Sequence, residues 1–278
     1  AVFILSHGRP NNILTHKALR KHGYSGDIYI ILDDEDIYID EYKKIYKDKI
    51  IVFKKKDYQG KFDIMDNFDG NKVIVYARNA CYDIARELGL DYFFEYEDDY
   101  GSFQHKFLDG NSLKWAYVNN LDKIMSLMIT ALDKTSFKTI AFAQGGDFIG
   151  GEFLGNQYKR KAMNTFLFKV NKDKKDDMLF IGRMNDDVNT YLTQGMVGVK
   201  ILQISDIMIT QKATQSNKGG NTEAYKEFGT YTKSFYSVIA QPSACKISII
   251  GVNSFRIHHK INWKLAVSKI LKEEYKKK

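Results

Sequence analysis

Short apolar runs alternate with amphipathic stretches over the first hundred residues, the pattern that βαβ units leave when helices cover a mostly parallel sheet. Residues 2–5 read as a first strand, and Asn11-Asn12 as the cap of a helix reaching about Lys21. A second strand at 28–32 ends in Asp33-Asp34. Further strands are expected at 50–53 and 73–76, the latter entering a helix over 77–88 that stops at Gly89. Residues 92–94 form the next strand, with 95–100 at its C-terminal end. Ligands of open α/β sheets bind beyond the C-terminal ends of strands, so the polar residues there come first in any search for function.

Past Tyr100 the period changes. A helix is expected over 121–132, with Ile124, Met125, Met128 and Leu132 on one face, then a strand at 139–143. Gly-rich turns and aromatic segments fill 145–180, including a strand near 164–170. Asn185-Asp186-Asp187 opens a short helix towards Gln194, 199–209 reads as a strand, 211–221 as a polar Gly-containing loop, and 263–272 as a terminal helix. No composition break marks a boundary, so residues 1–278 are read as a single α/β domain with a mostly parallel central sheet flanked by helices.

Composition narrows the class. Hydrophobic residues at 44% and charged residues at 27% argue against disorder, and no apolar run approaches the length needed to span a bilayer. A cytoplasmic location without membrane contact is expected. Cys81 and Cys245, far apart, suggest neither a disulfide framework nor a zinc finger. The net charge of +8 favours an anionic partner, but runs such as 172–175 and 276–278 look scattered, so charge alone is weak support for nucleic acid.

Several constellations carry chemistry. Glu97-Asp98-Asp99 follows an apolar strand, and alternate carboxylates there suit Mg2+ or Mn2+, whose coordination water and a diphosphate would complete. The same triplet also suits a plain acidic turn. Ser6-His7-Gly8-Arg9, between a strand and a helix, can present backbone N–H groups and a guanidinium to a nucleotide, or can simply be a βα turn. Asp33 and Asp34 suit a ribose or base, or a solvated turn. Arg78 and Asn79, near a helix start, can reach a diphosphate at the same edge. Asp186 and Asp187 suit either a helix N-terminus or the base that deprotonates an acceptor hydroxyl. His258-His259 offers one further metal or phosphate contact, and the loop at 212–221, with Lys218 and Gly219-Gly220, suits a lid.

The order of these motifs resembles the GT-A glycosyltransferases. More narrowly, Ser-x-Gly-Arg at Ser6 to Arg9, Ala77-Arg78-Asn79, the acidic triplet and Asn185-Asp186-Asp187 are similar to the TET-associated glycosyltransferase family of phages, over about residues 1–200. That resemblance implies a GT-A-like fold, with 1–100 as the nucleotide-sugar-binding half and 101–278 as the acceptor half. It implies transfer of a hexose from a UDP-sugar such as UDP-glucose to a hydroxymethylpyrimidine in double-stranded DNA, in a host cytoplasm if phage-encoded. By the same resemblance Glu97 and Asp99 belong to the metal and diphosphate motif, with Mn2+ or Mg2+ as cofactor; His258, from the reading of the residues alone, is a further metal contact. The resemblance also puts Arg78 in the donor site and Asp186 or Asp187 at the catalytic position, and the reading of the residues themselves adds Ser6, His7, Gly8, Arg9, Asp33, Asp34, Asn79 and Asp98 to the donor site. The triplet departs from the family pattern by beginning with Glu97 in place of Asp, so its longer side chain reaches either the ion or a ribose or water beside it. A protein, glycan or small-molecule acceptor, or an inactive nucleic-acid-binding domain, stands as the alternative.

Overall fold

The computed structural model describes residues 1–68, 73–148, 161–212, 229, 231–251 and 255–267. Its centre is a nine-stranded sheet. The strands are β1 (Val2–Leu5), β2 (Ile28–Asp33), β3 (Ile50–Phe53), β4 (Tyr92–Glu97), β5 (Tyr100–Asp109), β6 (Ser112–Tyr117), β7 (Phe137–Gln144), β8 (Thr165–Lys169) and β9 (Lys200–Gln211). They lie in the order β3-β2-β1-β4-β8-β7-β9-β5-β6. A separate two-stranded ribbon pairs β10 (Cys245–Ile250) with β11 (Arg256–Ile261).

Four strands at one side, β3-β2-β1-β4, run parallel. Beyond β4 the sheet is mixed: β8 is antiparallel to both β4 and β7, β7 and β9 are parallel, and β5 and β6 return antiparallel. The helices are α1 (Leu14–Lys21), α2 (Ile39–Tyr46), α3 (Val75–Glu87), α4 (Leu121–Lys134), α5 (Asp186–Met196), α6 (Thr232–Ala240) and the short α7 (Trp263–Ala266).

The period-2 rule explains why β1 is apolar throughout. Val2 and Ile4 enter one core layer with Leu19, Met125 and Met128, whereas Phe3 and Leu5 enter the other with Val75, Ile84 and Phe168. A strand covered on both faces has no polar position to alternate with. α1 and α4 thus cover one face of the sheet, and α3 and α5 the other.

Three expectations are corrected, and a fourth lies partly outside the described residues. Residues 73–76 do not form a strand: Val75 and Tyr76 begin α3, because this helix is buried on almost every side and its β-branched start is held by packing. α1 starts at Leu14 behind Ile13, with no side-chain cap from Asn11 or Asn12; its first turn is fastened to the acidic triplet, where Thr15 N donates to Asp98 O at 3.2 Å and Thr15 Oγ1 to Glu97 O at 2.5 Å. The terminal helix is described only over Trp263–Ala266 and Val267, the expected remainder lying outside the described residues. His258 and His259 sit inside β11, where the sequence reading had no strand.

Candidate functional site

Because β1, β2 and β4 are parallel and in register, with Leu5 opposite Ile31 and Glu97, their C-terminal ends open on one edge. Ser6, Asp33, Glu97 and Asp98 meet there. Ser6 Oγ donates to Asp98 Oδ2 at 2.6 Å and lies 2.8 Å from Tyr42 Oη, while the Arg9 amide donates to that same phenol at 2.8 Å. Arg9 Nε stands 3.1 Å from Asp98 Oδ2. Burial pushes the Asp98 carboxyl up to about 6, against the pull of Arg9 and Ser6.

A second group surrounds Asp33. His7 Nδ1 lies 2.8 Å from Asp33 Oδ2, and Lys55 Nζ is 2.9 Å from Asp33 Oδ1. Burial alone would raise this carboxyl, but the bonds from His7 and Lys55 prevail and hold it at about 2. The bond to Asp33 raises the His7 imidazole in turn. Gly8 turns with φ +70° so that its N–H can donate to Asp36 Oδ2 at 2.7 Å, a backbone conformation that favours glycine. Asp34 accepts from the Lys55 amide at 2.9 Å and so ties this edge to the start of the loop after β3.

Arg78 is the largest fully buried side chain and the keystone between elements. Its three nitrogens reach three carboxylates: Nε to Asp186 Oδ2 at 2.6 Å, Nη1 to Glu95 Oε1 at 2.7 Å and Nη2 to Glu97 Oε1 at 2.6 Å. The guanidinium lies between Phe166 and Phe180, 5.1 and 5.2 Å from their ring centroids. Burial would depress its charge, but the three anions raise its pKa well above the ordinary value. Instead of projecting from the first turn of a surface helix, Arg78 lies beneath the acidic edge. Asn79 next to it is equally inward, exchanging hydrogen bonds with both backbone groups of Phe180 at 3.0 and 2.8 Å.

The arginine brings α5 to the end of β4. Asn185 precedes α5 in the left-handed conformation, φ +54°, and its amide donates to Lys233 O at 2.9 Å and Ser237 Oγ at 3.1 Å. Asp186 is thereby fixed on Arg78. Asp187 is partly open to solvent; burial, then Asp186, push its carboxyl up to about 6 against the attraction of Arg78. Glu97 also rises, by burial and by the fields of Asp99, Asp186 and Asp187, with Arg78 opposing. Asp99 rises through burial, with Arg9 opposing.

As donors for a hard divalent ion, Glu97 and Asp99 have the right chemistry, and the mutual repulsion at this edge is what a cation would relieve. They are an open part-shell: among the described residues no group of three His, Cys, Asp or Glu converges on one ion. His258 is not gathered with them. Its Nδ1 lies 2.8 Å from His259 O, and burial together with Arg256 and Lys233 lowers its pKa, a cationic setting that disfavours a metal. The expected lid at 212–221 falls outside the described residues apart from Lys212.

Sequence reasoning missed Tyr42, Lys55 and Glu95. Glu95 alone carried a readable signal, a lone carboxylate within the apolar run Phe93-Phe94-Glu95-Tyr96, which demands a buried cation. Nothing local marks Tyr42 or Lys55, whose partners are 20 to 36 residues away.

No curated protein sequence matches the chain. Among solved structures, glucosyl-3-phosphoglycerate synthase from Mycobacterium tuberculosis, in complex with Mn2+, UDP and phosphoglyceric acid, is similar at 7% identity. That match covers 94% of this chain and 86% of the other, with a TM-score of 0.46. A cytidylyltransferase from Leptospira borgpetersenii is similar at 11% identity over 61% of this chain and 60% of its own, with a TM-score of 0.32. These likenesses are remote, and nothing below rests on them. The family model for TET-associated glycosyltransferases matches residues 1–220, which span β1 to β9 and every carboxylate of the acidic edge; the chain belongs to this family and is a glycosyltransferase.

Proposed function

We propose that this glycosyltransferase moves a hexose from a UDP-sugar to the hydroxymethyl group of a modified pyrimidine in double-stranded DNA. The observation that carries the reading is the Arg78 cluster. It brings Glu97 at the end of β4 and the N-terminus of α5 to one edge, an arrangement that supports a diphosphate site next to a base for the acceptor.

The roles divide by geometry. Ser6 to Arg9 and Asp33 hold the nucleotide, with Gly8 keeping the backbone close and Arg9 offering its cation to the diphosphate. Glu97 and Asp99 would hold Mn2+ or Mg2+, which when bound neutralises charge that develops on the leaving diphosphate. Asp186 is committed to Arg78 and acts as a positioning residue. Asp187 is the base: its carboxylate accepts the acceptor hydroxyl proton as that oxygen bonds to the anomeric carbon, and the bond from that carbon to the diphosphate oxygen breaks with its electron pair leaving on UDP. Its elevated pKa makes the carboxylate a stronger base than an ordinary aspartate while leaving it ionised at neutral pH. A base stacked in a duplex would have to swing out to reach this edge.

The test is UDP release from a panel of UDP-sugars with Mn2+, with and without duplexes containing 5-hydroxymethylcytosine or 5-hydroxymethyluracil, using Asp99→Ala as control. Release that needs modified DNA and vanishes in the variant supports the reading. Release independent of DNA moves the acceptor to a protein, glycan or small molecule, and no release with any UDP-sugar removes the donor assignment.

A further inference from the structure

Residues 228–272 contain seven Lys and Arg and no Asp or Glu, so this segment alone carries +7 of the chain's net +8. The charge is therefore not scattered. The segment begins beyond the part of the chain matched by the family model, and it holds α6, the β10–β11 ribbon and α7.

The ribbon's register sorts its side chains. Lys246 pairs with Lys260, Ser248 with His258 and Ile250 with Arg256, so these six share one face; Cys245, Ile247, His259 and Ile261 lie on the opposite one. The second face is anchored. Cys245 is buried, and Ile261 packs against the same core layer as α5. On the first face Lys246, Arg256 and Lys260 are exposed. Like charges directly opposite one another destabilise an isolated hairpin, so the Lys246–Lys260 pair is a cost that an anionic partner would relieve. At the free end of the ribbon Ile249 is 68% and Phe255 76% exposed.

The ribbon also adjoins the acidic edge. Asn185, two residues before Asp187, lies 3.4 Å from His259 Nδ1 through its side-chain nitrogen, and α6 carries Lys233 into the field of Asp187.

We propose that the β10–β11 ribbon is the duplex-binding element of this enzyme: its anchored face meets the start of α5 through His259, and its outward Lys246–Arg256–Lys260 face lies against the phosphates of double-stranded DNA that passes on towards Asp187. The DNA major groove has the width to admit a two-stranded ribbon, and three exposed cations on one face give the sequence-independent attraction that a base-modifying enzyme needs along its substrate. The inference rests on the function proposed above for the choice of duplex DNA over another polyanion and for Asp187 as the acceptor base. An anionic membrane is the other surface that bases beside exposed apolar groups can meet, and it is disfavoured by the position of the ribbon next to the acceptor base.

Fluorescence anisotropy with an unmodified 20-base-pair duplex, without donor or metal, reads this independently of turnover. The K246Q/R256Q/K260Q variant of the full chain should bind at least about tenfold more weakly near 0.1 M salt, with the slope of log affinity against log salt reduced by about 2 to 3. Circular dichroism melting checks that the variant is folded. Equal affinity and slope in the folded variant would overturn the proposal, as would wild-type binding to phosphatidylserine vesicles but not to the duplex. Duplex binding that depends on the ribbon without sugar transfer to any hydroxymethylated duplex would instead leave the ribbon standing and remove the acceptor assignment.

Discussion

At Arg78, one guanidinium pairs with three carboxylates, Glu95 and Glu97 on β4 and Asp186 on α5, of which Glu95 and Asp186 are buried and Glu97 is partly open to solvent. Removing such a cation leaves buried anions uncompensated, at a typical cost of about 3 to 5 kcal/mol. Arg78→Met is therefore expected to lower unfolding free energy in urea by that amount. Arg78→Lys recovers only a fraction, because an ammonium cannot address three carboxylates along three fixed directions. Asp187 makes a separate prediction. Its base form exists above its pKa of about 6, so kcat/KM should rise with pH through that value and level off above it, and Asp187→Asn should lose about 100-fold or more in kcat and the acid limb of the profile. Asp186→Asn should instead lose stability as well as activity, since its Oδ2 accepts from Arg78 Nε.

The same distances explain how much could be read beforehand at the level of elements. The parallel strands were legible because burial on both faces leaves uninterrupted apolar runs such as Val2–Leu5. Motif residues at strand ends, Ser6, Asp33 and Glu97, were found for the same reason: a polar residue after such a run marks the edge. The role of Arg78 was illegible because its partners lie 17, 19 and 108 residues away. Residues 73–76 misled because a β-branched run has the same local look whether a strand or a fully packed helix receives it. The β5–β6 hairpin was legible and went unread: Gly110 at φ +59° begins a two-residue loop between Asp109 and Ser112, where a tight hairpin demands glycine. Packing between α5 and α7 leaves no such trace. At Gly195 an added Cβ would stand 2.3 Å from Ala266 O, a backbone atom that cannot step aside. Gly195→Ala should consequently cost about 1 to 3 kcal/mol, seen as a lower melting temperature, without moving the pH profile of activity.

Across the whole molecule, the acidic edge sets stability and activity against each other in pH. Asp33, held at about 2 by His7 and Lys55, contributes stability that is complete above its unfolded value near 4 and is lost as pH falls towards 2. His7 has a raised folded pKa, so its contribution is complete below about 6.5 and fades as pH climbs through the folded value. Asp187 has a folded pKa of about 6, above that of an unfolded aspartate, so between those values the native state binds more protons than the unfolded one and stability again falls with rising pH. Loss on the acid side from Asp33, and loss with rising pH from Asp187 above about 4 and from His7 above about 6.5, predicts a melting-temperature maximum near about pH 4. With Asp187 as the proposed base, the reaction is expected to be fastest at least about two pH units higher. Differential scanning calorimetry from pH 3 to 9 on the wild type and on Asp187→Asn checks this. The variant should lose part of the decline between about pH 4 and 6 while keeping the decline below 4, and a wild-type maximum at pH 8 would contradict the assignment of both groups. At high pH the edge holds Glu97 and Asp187 ionised at the expense of stability, which is why ligands of opposite charge there should raise the melting temperature more at pH 8 than at pH 5.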